Sequence, residues 1–341
     1  MQQSPSETPC FAATHYVFDN LEEAFAQQPV ATVSRINETY EEQSIILFLV
    51  KGYETGPTVW IQAALHGDEH DGIVACARLL ADISPEELRG NLIVCPVTNP
   101  TALLAGTNAS PLDGVNLNRV FGQNVDPASY SSRYGQWLAD HITKHADFLI
   151  DLHGGGRWLD VCPFAMVASD HDGAFNRSMA ALSQVPLTAT FICHDEAKGM
   201  LINEVCKNGI PAVLLESGGG NRWTDTAVHA HFHNIRLILD QLGAYTADPQ
   251  QKESETYRAN CKPLQIREIA ELRFLKSGIL TFSRQAGDIV RQGEELIRVL
   301  SYPELEEHSI ICPIAHGVIL SIHAASTVHN GGYAVMLGKL T

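Results

Sequence analysis

The sequence predicts an α/β protein with a small all-β module at its carboxyl end. Two observations carry that prediction. From about residue 44 to 243, short apolar runs alternate with polar, helix-compatible stretches, the order that builds a sheet covered by helices. Beyond a polar stretch at 244–262 the runs shorten and are punctuated by glycine turns.

The first 44 residues are mixed and give no clear element. The strands begin with SIILFLV (44–50), then TVWIQAAL (58–65), NLIVCPV (91–97), DFLIDL (147–152) and PAVLLE (211–216). They are short, continuous and rich in β-branched residues, as strands buried on both faces are. Between them, GIVACARLLADIS (72–84) and TDTAVHAHFHNIRLILDQLG (224–243) read as helices, the second closing on a glycine as helix ends often do. The stretch 244–262 has no apolar periodicity and reads as a linker. The chain is therefore expected to divide into a catalytic domain over 1–250 and a β domain over 251–341. In the latter, Gly-Asp, Gln-Gly, His-Gly and Gly-Gly turns separate the short strands.

A length of 341 residues suits two domains at roughly 150 residues each. No apolar run approaches the roughly 18–20 residues that cross a bilayer, so no membrane partner is expected. The start, MQQSPSETPC, has neither a basic nor an apolar leader region, and a cytoplasmic location is expected. The eight cysteines are scattered singly, which fits reduced, buried thiols. The net charge is −16, from 39 acidic and 23 basic residues, with no basic stripe to attract nucleic acid. An anionic substrate would need specific arginines to hold it against this field.

Three of the apolar runs end alike. AALHGDE places His66 and Glu69 past one strand, LIDLHGGG places Asp151 and His153 at the end of another, and VLLESGGG places Glu216 at a third. In open α/β sheets the carboxyl ends of strands border the binding crevice. Two histidines and a carboxylate are the ligands of a catalytic zinc site that leaves a position for water. His66, Glu69 and His153 supply that set, and Glu216 is the spare carboxylate for a general base. Asp151 could orient a ligand from behind or face the crevice itself. Asp68, His70 and Asp71 read as the solvated remainder of the first turn. Alone, an H-x-x-E pair is as easily a surface turn; the coincidence at three strand ends favours the metal site. HAHFH is a competitor, since His229 and His233 fall at i and i+4 on a helix, but no carboxylate or cysteine nearby completes a set. The long segment 99–122 carries NLNR, where Asn118 offers an amide and Arg119 a guanidinium able to grip a carboxylate; a structural ion pair would equally account for the arginine.

HGDE, NLNRVF, DLHGG and ESGGG, in this order and at these separations, resemble the succinylglutamate desuccinylase and aspartoacylase family, relatives of the zinc carboxypeptidases. The resemblance covers roughly residues 45–240. It implies a mixed central sheet between helices, one zinc ion per chain and hydrolysis of the amide bond of small N-acyl amino acids. It also implies zinc ligation by His66, Glu69 and His153, Glu216 as general base, and Asn118 with Arg119 on the substrate's α-carboxylate. GDIVRQGEELIRV followed by CPIAHGVIL is similar to a biotinyl or lipoyl half-barrel that lacks its attachment lysine, so a module narrowing the crevice is expected rather than a carrier. One departure stands out. Where many relatives carry an arginine, AGTNASPLDG has Asn108; Arg157, after the HGGG turn, is a candidate to replace it. Losing one oxyanion donor typically costs on the order of a hundredfold in rate.

The expected protein is thus a zinc-dependent deacylase whose partner is a small N-acyl amino acid. Homo-oligomerisation is left open. The alternatives are a carboxypeptidase-like peptide hydrolase and a metal-binding homologue of low activity that acts as a ligand-binding protein.

Overall fold

A computed structural model describes residues 15–122, 126–245 and 263–340. The helices are α1 (Leu21–Gln27), α2 (Asp71–Asp82), α3 (Pro100–Ala105), α4 (Tyr130–His145), α5 (Asp172–Ala181), α6 (Leu201–Lys207) and α7 (Asp225–Gln241). The strands up to residue 245 are β1 (Tyr16–Phe18), β2 (Thr32–Tyr40), β3 (Gln43–Lys51), β4 (Glu54–Ala63), β5 (Arg89–Cys95), β6 (Phe148–His153), β7 (Leu159–Ala168), β8 (Ala189–Cys193) and β9 (Ala212–Gly219). Those beyond it are β10 (Leu264–Ile266), β11 (Ile269–Arg273), β12 (Gly278–Ser283), β13 (Ile289–Arg291), β14 (Glu295–Ser301), β15 (Glu307–Ile311), β16 (His316–His323), β17 (Thr327–Val328) and β18 (Tyr333–Lys339).

A mixed sheet runs in the order β1-β2-β3-β5-β4-β6-β9-β7-β16-β18-β11, with β8 also beside β7, β10 beside β8, and β13 beside β16. Its centre is parallel from β5 through β4 and β6 to β9, while β3 and β7 run against their neighbours β5 and β9. The central strands are buried on both faces, which is why their sequences read as continuous apolar runs rather than alternating ones. One face packs Ile61, Ile150, Leu152, Val213 and Leu215 against Leu79 and Leu80 of α2 and Ile235, Ile238 and Leu239 of α7. The other packs Trp60, Ile93, Leu149 and Leu214 against Leu138 and Ile142 of α4 and Leu201 and Val205 of α6. Two predicted strands stop early for local reasons. β4 ends at Ala63 because Ala64 turns into the left-handed region (φ 52°), and β5 ends at Cys95, before Pro96.

The segment left unread before residue 44 holds β1, α1 and β2, and β2 forms an antiparallel hairpin with β3. The boundary expected at residue 250 falls in 246–262, outside the described residues. The strands that follow build onto the same sheet: β16 pairs antiparallel with β7, from Ser321 opposite Val161 to His323 opposite Leu159. A second sheet, β15-β14-β12-β17, lies over them around Phe274, Leu296, Val299, Ile319 and Val335. The six cysteines among the described residues are free and buried, and no helix there is long and apolar enough to cross a membrane.

Candidate active site

β4, β6 and β9 lie side by side, and in the shared register Ala63 is opposite Leu152 and His153 opposite Glu216. Their carboxyl ends therefore open on one edge of the sheet, where a crevice is expected in an α/β fold. Leaving β4, the chain turns at Ala64, and the backbone N–H groups of Thr98 and Asn99 donate to the carbonyls of Ala63 and Ala64 and hold that turn. Gly67 follows because α3 presses on it: a Cβ there would lie 1.9 Å from the carbonyl carbon of Ala102.

The turn delivers its ionisable groups to His153. His66 Nδ1 lies 2.8 Å from Glu69 Oε1, and His153 Nδ1 lies 3.0 Å from Glu69 Oε2. All three side chains are buried, and they form the cluster able to hold a metal ion among the described residues. Burial works against the Glu69 charge, yet the imidazoles on either side hold its carboxyl down at about 2. Burial likewise opposes protonation of His153, but Asp151 and Glu69 outweigh it and raise this imidazole well above its ordinary value. A divalent cation is the natural complement of this chemistry: one carboxylate and two Nδ1 atoms converge, while each ring's Nε2 already has an oxygen partner. His153 Nε2 is 3.1 Å from Asp151 Oδ2, and His66 Nε2 is 3.0 Å from Asn116 Oδ1.

Asp151 sits behind the cluster. Its other oxygen accepts from Gln62 Nε2 at 3.0 Å, and Gln62 Oε1 accepts from Trp60 Nε1 at 3.1 Å. Asp151 is fully buried, so of its two expected places the one behind His153 is occupied. Neither Gln62 nor Asn116 was anticipated, although an uncompensated amide inside the apolar run TVWIQAAL was a visible signal.

Glu216 is partly buried beside His153. Burial and the negative charge of Glu69 push its carboxyl up to about 8, with His153 and Arg119 pulling the other way. Arg119 is thus within electrostatic reach of Glu216, and it is exposed. Asn118 is buried, and its Oδ1 accepts from the Leu201 N–H at the start of α6, leaving Nδ2 as its donor. Asn108 is exposed at the rim and reaches the cluster through Asn116, whose Nδ2 donates to Asn108 Oδ1 at 2.8 Å. Arg157 stacks over the Trp158 ring at 5.1 Å, in the turn after β6. His323 of β16 also stacks on Trp158, with ring centroids 6.3 Å apart, and the Ala324 N–H donates to the Trp158 carbonyl. The carboxyl-terminal strands therefore border the turn that follows His153.

One expectation is corrected. Asp68 and Asp71 are not solvated: both are buried, and each accepts from the backbone of a neighbouring segment. Asp68 Oδ2 accepts from the Arg157 N–H, and Asp71 Oδ1 from the Thr224 N–H at the start of α7. His70 stands just before α2 with no side-chain cap on it, apart from the His66–Glu69–His153 cluster. His229 and His233 stack on each other at 5.4 Å beside a surface cavity of about 540 Å³, with no third ligand among the described residues. His231, on the opposite side of α7, is buried, and burial pushes its imidazole down to about 4.

The chain belongs to the succinylglutamate desuccinylase/aspartoacylase family, whose catalytic domain matches residues 55–241. Among relatives, an N-alpha-acetyl-L-2,4-diaminobutyric acid deacetylase of Halomonas elongata is 28% identical over 300 residues, spanning 87% of this chain and 84% of its own. Similar solved structures include the product-bound ectoine utilization protein EutE (DoeB) of Ruegeria pomeroyi, with a TM-score of 0.76 at 23% identity over 92% of this chain and 98% of that one. A succinylglutamate desuccinylase of Silicibacter sp. TM1040 gives 0.75 at 23% identity with the same coverage. These likenesses extend the shared fold through the carboxyl-terminal strands.

Proposed function

We propose that this protein is a zinc-dependent amidohydrolase that removes a short acyl group from a small N-acyl amino acid. The observation that carries the reading is the buried His66–Glu69–His153 cluster with an independent carboxylate, Glu216, one strand away. His66 Nδ1, a Glu69 oxygen and His153 Nδ1 would hold the ion. Zinc would supply Lewis-acid polarisation of the scissile carbonyl and a water acidified to a pKa of about 7.

The chain's own groups do the rest. Held as the carboxylate by the charge of a cation in the cluster, Glu216 would take the proton of the attacking water and return it to the departing amine, two transfers that one carboxylate at this position can serve. Arg119 grips the α-carboxylate of the substrate, and Asn118 Nδ2 donates beside it. Asn108 and Arg157 stand at the rim, where they meet the acyl end. An acidic protein of charge −16 holds an anionic substrate only through such local arginines. The name of the Halomonas elongata relative makes acetyl the first acyl group to try and 2,4-diaminobutyrate the first amino acid.

The test is a hydrolysis screen of N-acetyl, N-succinyl and N-formyl amino acids, Nα-acetyl-2,4-diaminobutyrate included, beside carboxyl-terminal dipeptides. Zinc-loaded wild type should turn over at least one N-acyl amino acid. Cleavage of dipeptides alone would move the assignment to a peptidase, and no turnover of any amide would end the hydrolase reading.

A further inference from the structure

We infer that His229 and His233 on α7 form a second metal-binding site, a pair of imidazoles that takes a late divalent transition-metal ion such as copper(II). It is separate from the His66–Glu69–His153 cluster and does not depend on the catalytic reading. Four residues of helix carry a side chain about 6 Å along the axis and a little more than one turn around it, so positions i and i+4 share a face. The two rings keep that relation: their centroids are 5.4 Å apart and their planes differ by 20°, so they stand side by side. Nitrogens bound to one ion at about 2.0–2.1 Å are roughly 3 Å from each other, a spacing that neighbouring rings reach by turning about their side-chain bonds. His229 is exposed, which leaves its ring room to turn. Each imidazole gives the ion one nitrogen and keeps the other for a hydrogen bond, as metal-bound histidines ordinarily do.

The surroundings suit an ion with open positions. Both rings line the cavity of about 540 Å³, which Arg78 of α2 and Pro163 of β7 also line, and that volume leaves room for waters or a small ligand on the ion. Asp225, one turn before His229, borders the same cavity, but its Oδ1 accepts from Arg78 Nη2 at 2.6 Å. The two imidazoles are therefore the protein's ligands. Neutral nitrogens select late transition metals, copper(II) above nickel(II) and zinc, over magnesium and calcium, which prefer oxygen. Lacking a carboxylate, the pair binds more weakly than the buried cluster and fills after it. The other i, i+4 histidine pair on a helix, His141 and His145 of α4, is built differently. Its rings are 6.2 Å apart and tilted by 50°, and His145 is stacked on Phe25.

The test is a titration of zinc-loaded protein with copper(II). One copper per chain should bind while the zinc stays in place, and its electron paramagnetic resonance spectrum should show coupling to two nitrogens. Tm should rise with copper concentration, since the ion binds the folded chain. His229→Gln and His233→Gln should each weaken that binding about tenfold or more, the loss of one of two ligands. Glutamine is a good helix former, so the circular dichroism of both variants should match wild type. His141→Gln should bind copper as wild type does. Copper uptake matched by loss of zinc would place the copper in the buried cluster and overturn the inference. So would undiminished binding in the His229→Gln and His233→Gln proteins, or no copper bound beyond the zinc. A protein that takes up no zinc would instead overturn the metal reading of the buried cluster, and the copper titration of the two glutamine variants would still decide this site.

Discussion

Gln62 has no exposure and sits near the carboxyl end of β4, where its amide joins Trp60 to Asp151. Gln62→Leu fills the space but strands two buried polar atoms, each worth about 1–3 kcal/mol when left without a partner. Urea unfolding of the metal-free protein should show a loss of about 2–6 kcal/mol for the two atoms together; a change below about 0.5 kcal/mol would mean that these two hydrogen bonds contribute nothing to stability. Glu216→Gln is the complementary case. It keeps shape and hydrogen bonding but removes the base, so zinc stoichiometry should hold while kcat falls about 10²–10⁴-fold. A variant of near wild-type kcat would take Glu216 out of the proton transfers. His66, Glu69, His153 and Glu216 could be read from sequence because each is an ionisable group ending an apolar run. Gln62 and Asn116 were not, because an amide carries no mark of its partner until the strands are in register.

The hexapeptide HGDEHD works as a junction between elements. Glu69 enters the cluster, Asp68 holds the backbone after β6 and Asp71 holds the start of α7, just beyond the glycine run that follows Glu216. A charged turn at the end of a strand looks solvated in sequence, since the loops that bury it lie some 90 and 150 residues away (Asp68 to Arg157, Asp71 to Thr224). Gly218 shows how tight the junction is: at φ 80° its Cβ would stand 2.5 Å from Asp71 Oδ2. Gly218→Ala should lower both Tm and kcat, because the turn carrying Glu216 must shift. Gly173→Ala in α5, where a Cβ meets nothing within 4 Å, is the control. It should be neutral or stabilise by up to about 1 kcal/mol. Equal effects from the two would refute the packing account of the junction. At this scale the buried central strands, α2 and α7 were readable from continuous apolar runs. β2 was not: its buried positions include the polar Ser34 and Glu38, which breaks the apolar alternation of a strand, and its turn into β3 uses Glu41 at φ 49° where glycine or asparagine would have announced it.

Across the whole molecule, the all-β character of the carboxyl-terminal part was visible in its turns, but its attachment was not. Pairing between β16 and β7 joins residues more than 150 positions apart, and nothing in either stretch names the other. A chain ending at residue 245 would uncover the β7 edge together with the apolar core around Val161 and Phe164 that Val318 and Leu320 complete, and it would lose the support that His323 gives Trp158. It should be recovered as an aggregating or partly unfolded species by size-exclusion chromatography and circular dichroism. A monomeric truncated chain with wild-type kcat would show that the β strands are dispensable to the site. The central claim, that His66, Glu69 and His153 hold the ion through which an N-acyl amino acid is hydrolysed, is tested most directly by adding zinc back to chelator-stripped protein while following turnover of the best substrate from the screen. Activity should be absent at the start, rise in proportion to added zinc and level off at one equivalent per chain; turnover that persists without metal, or that zinc does not restore, would contradict it.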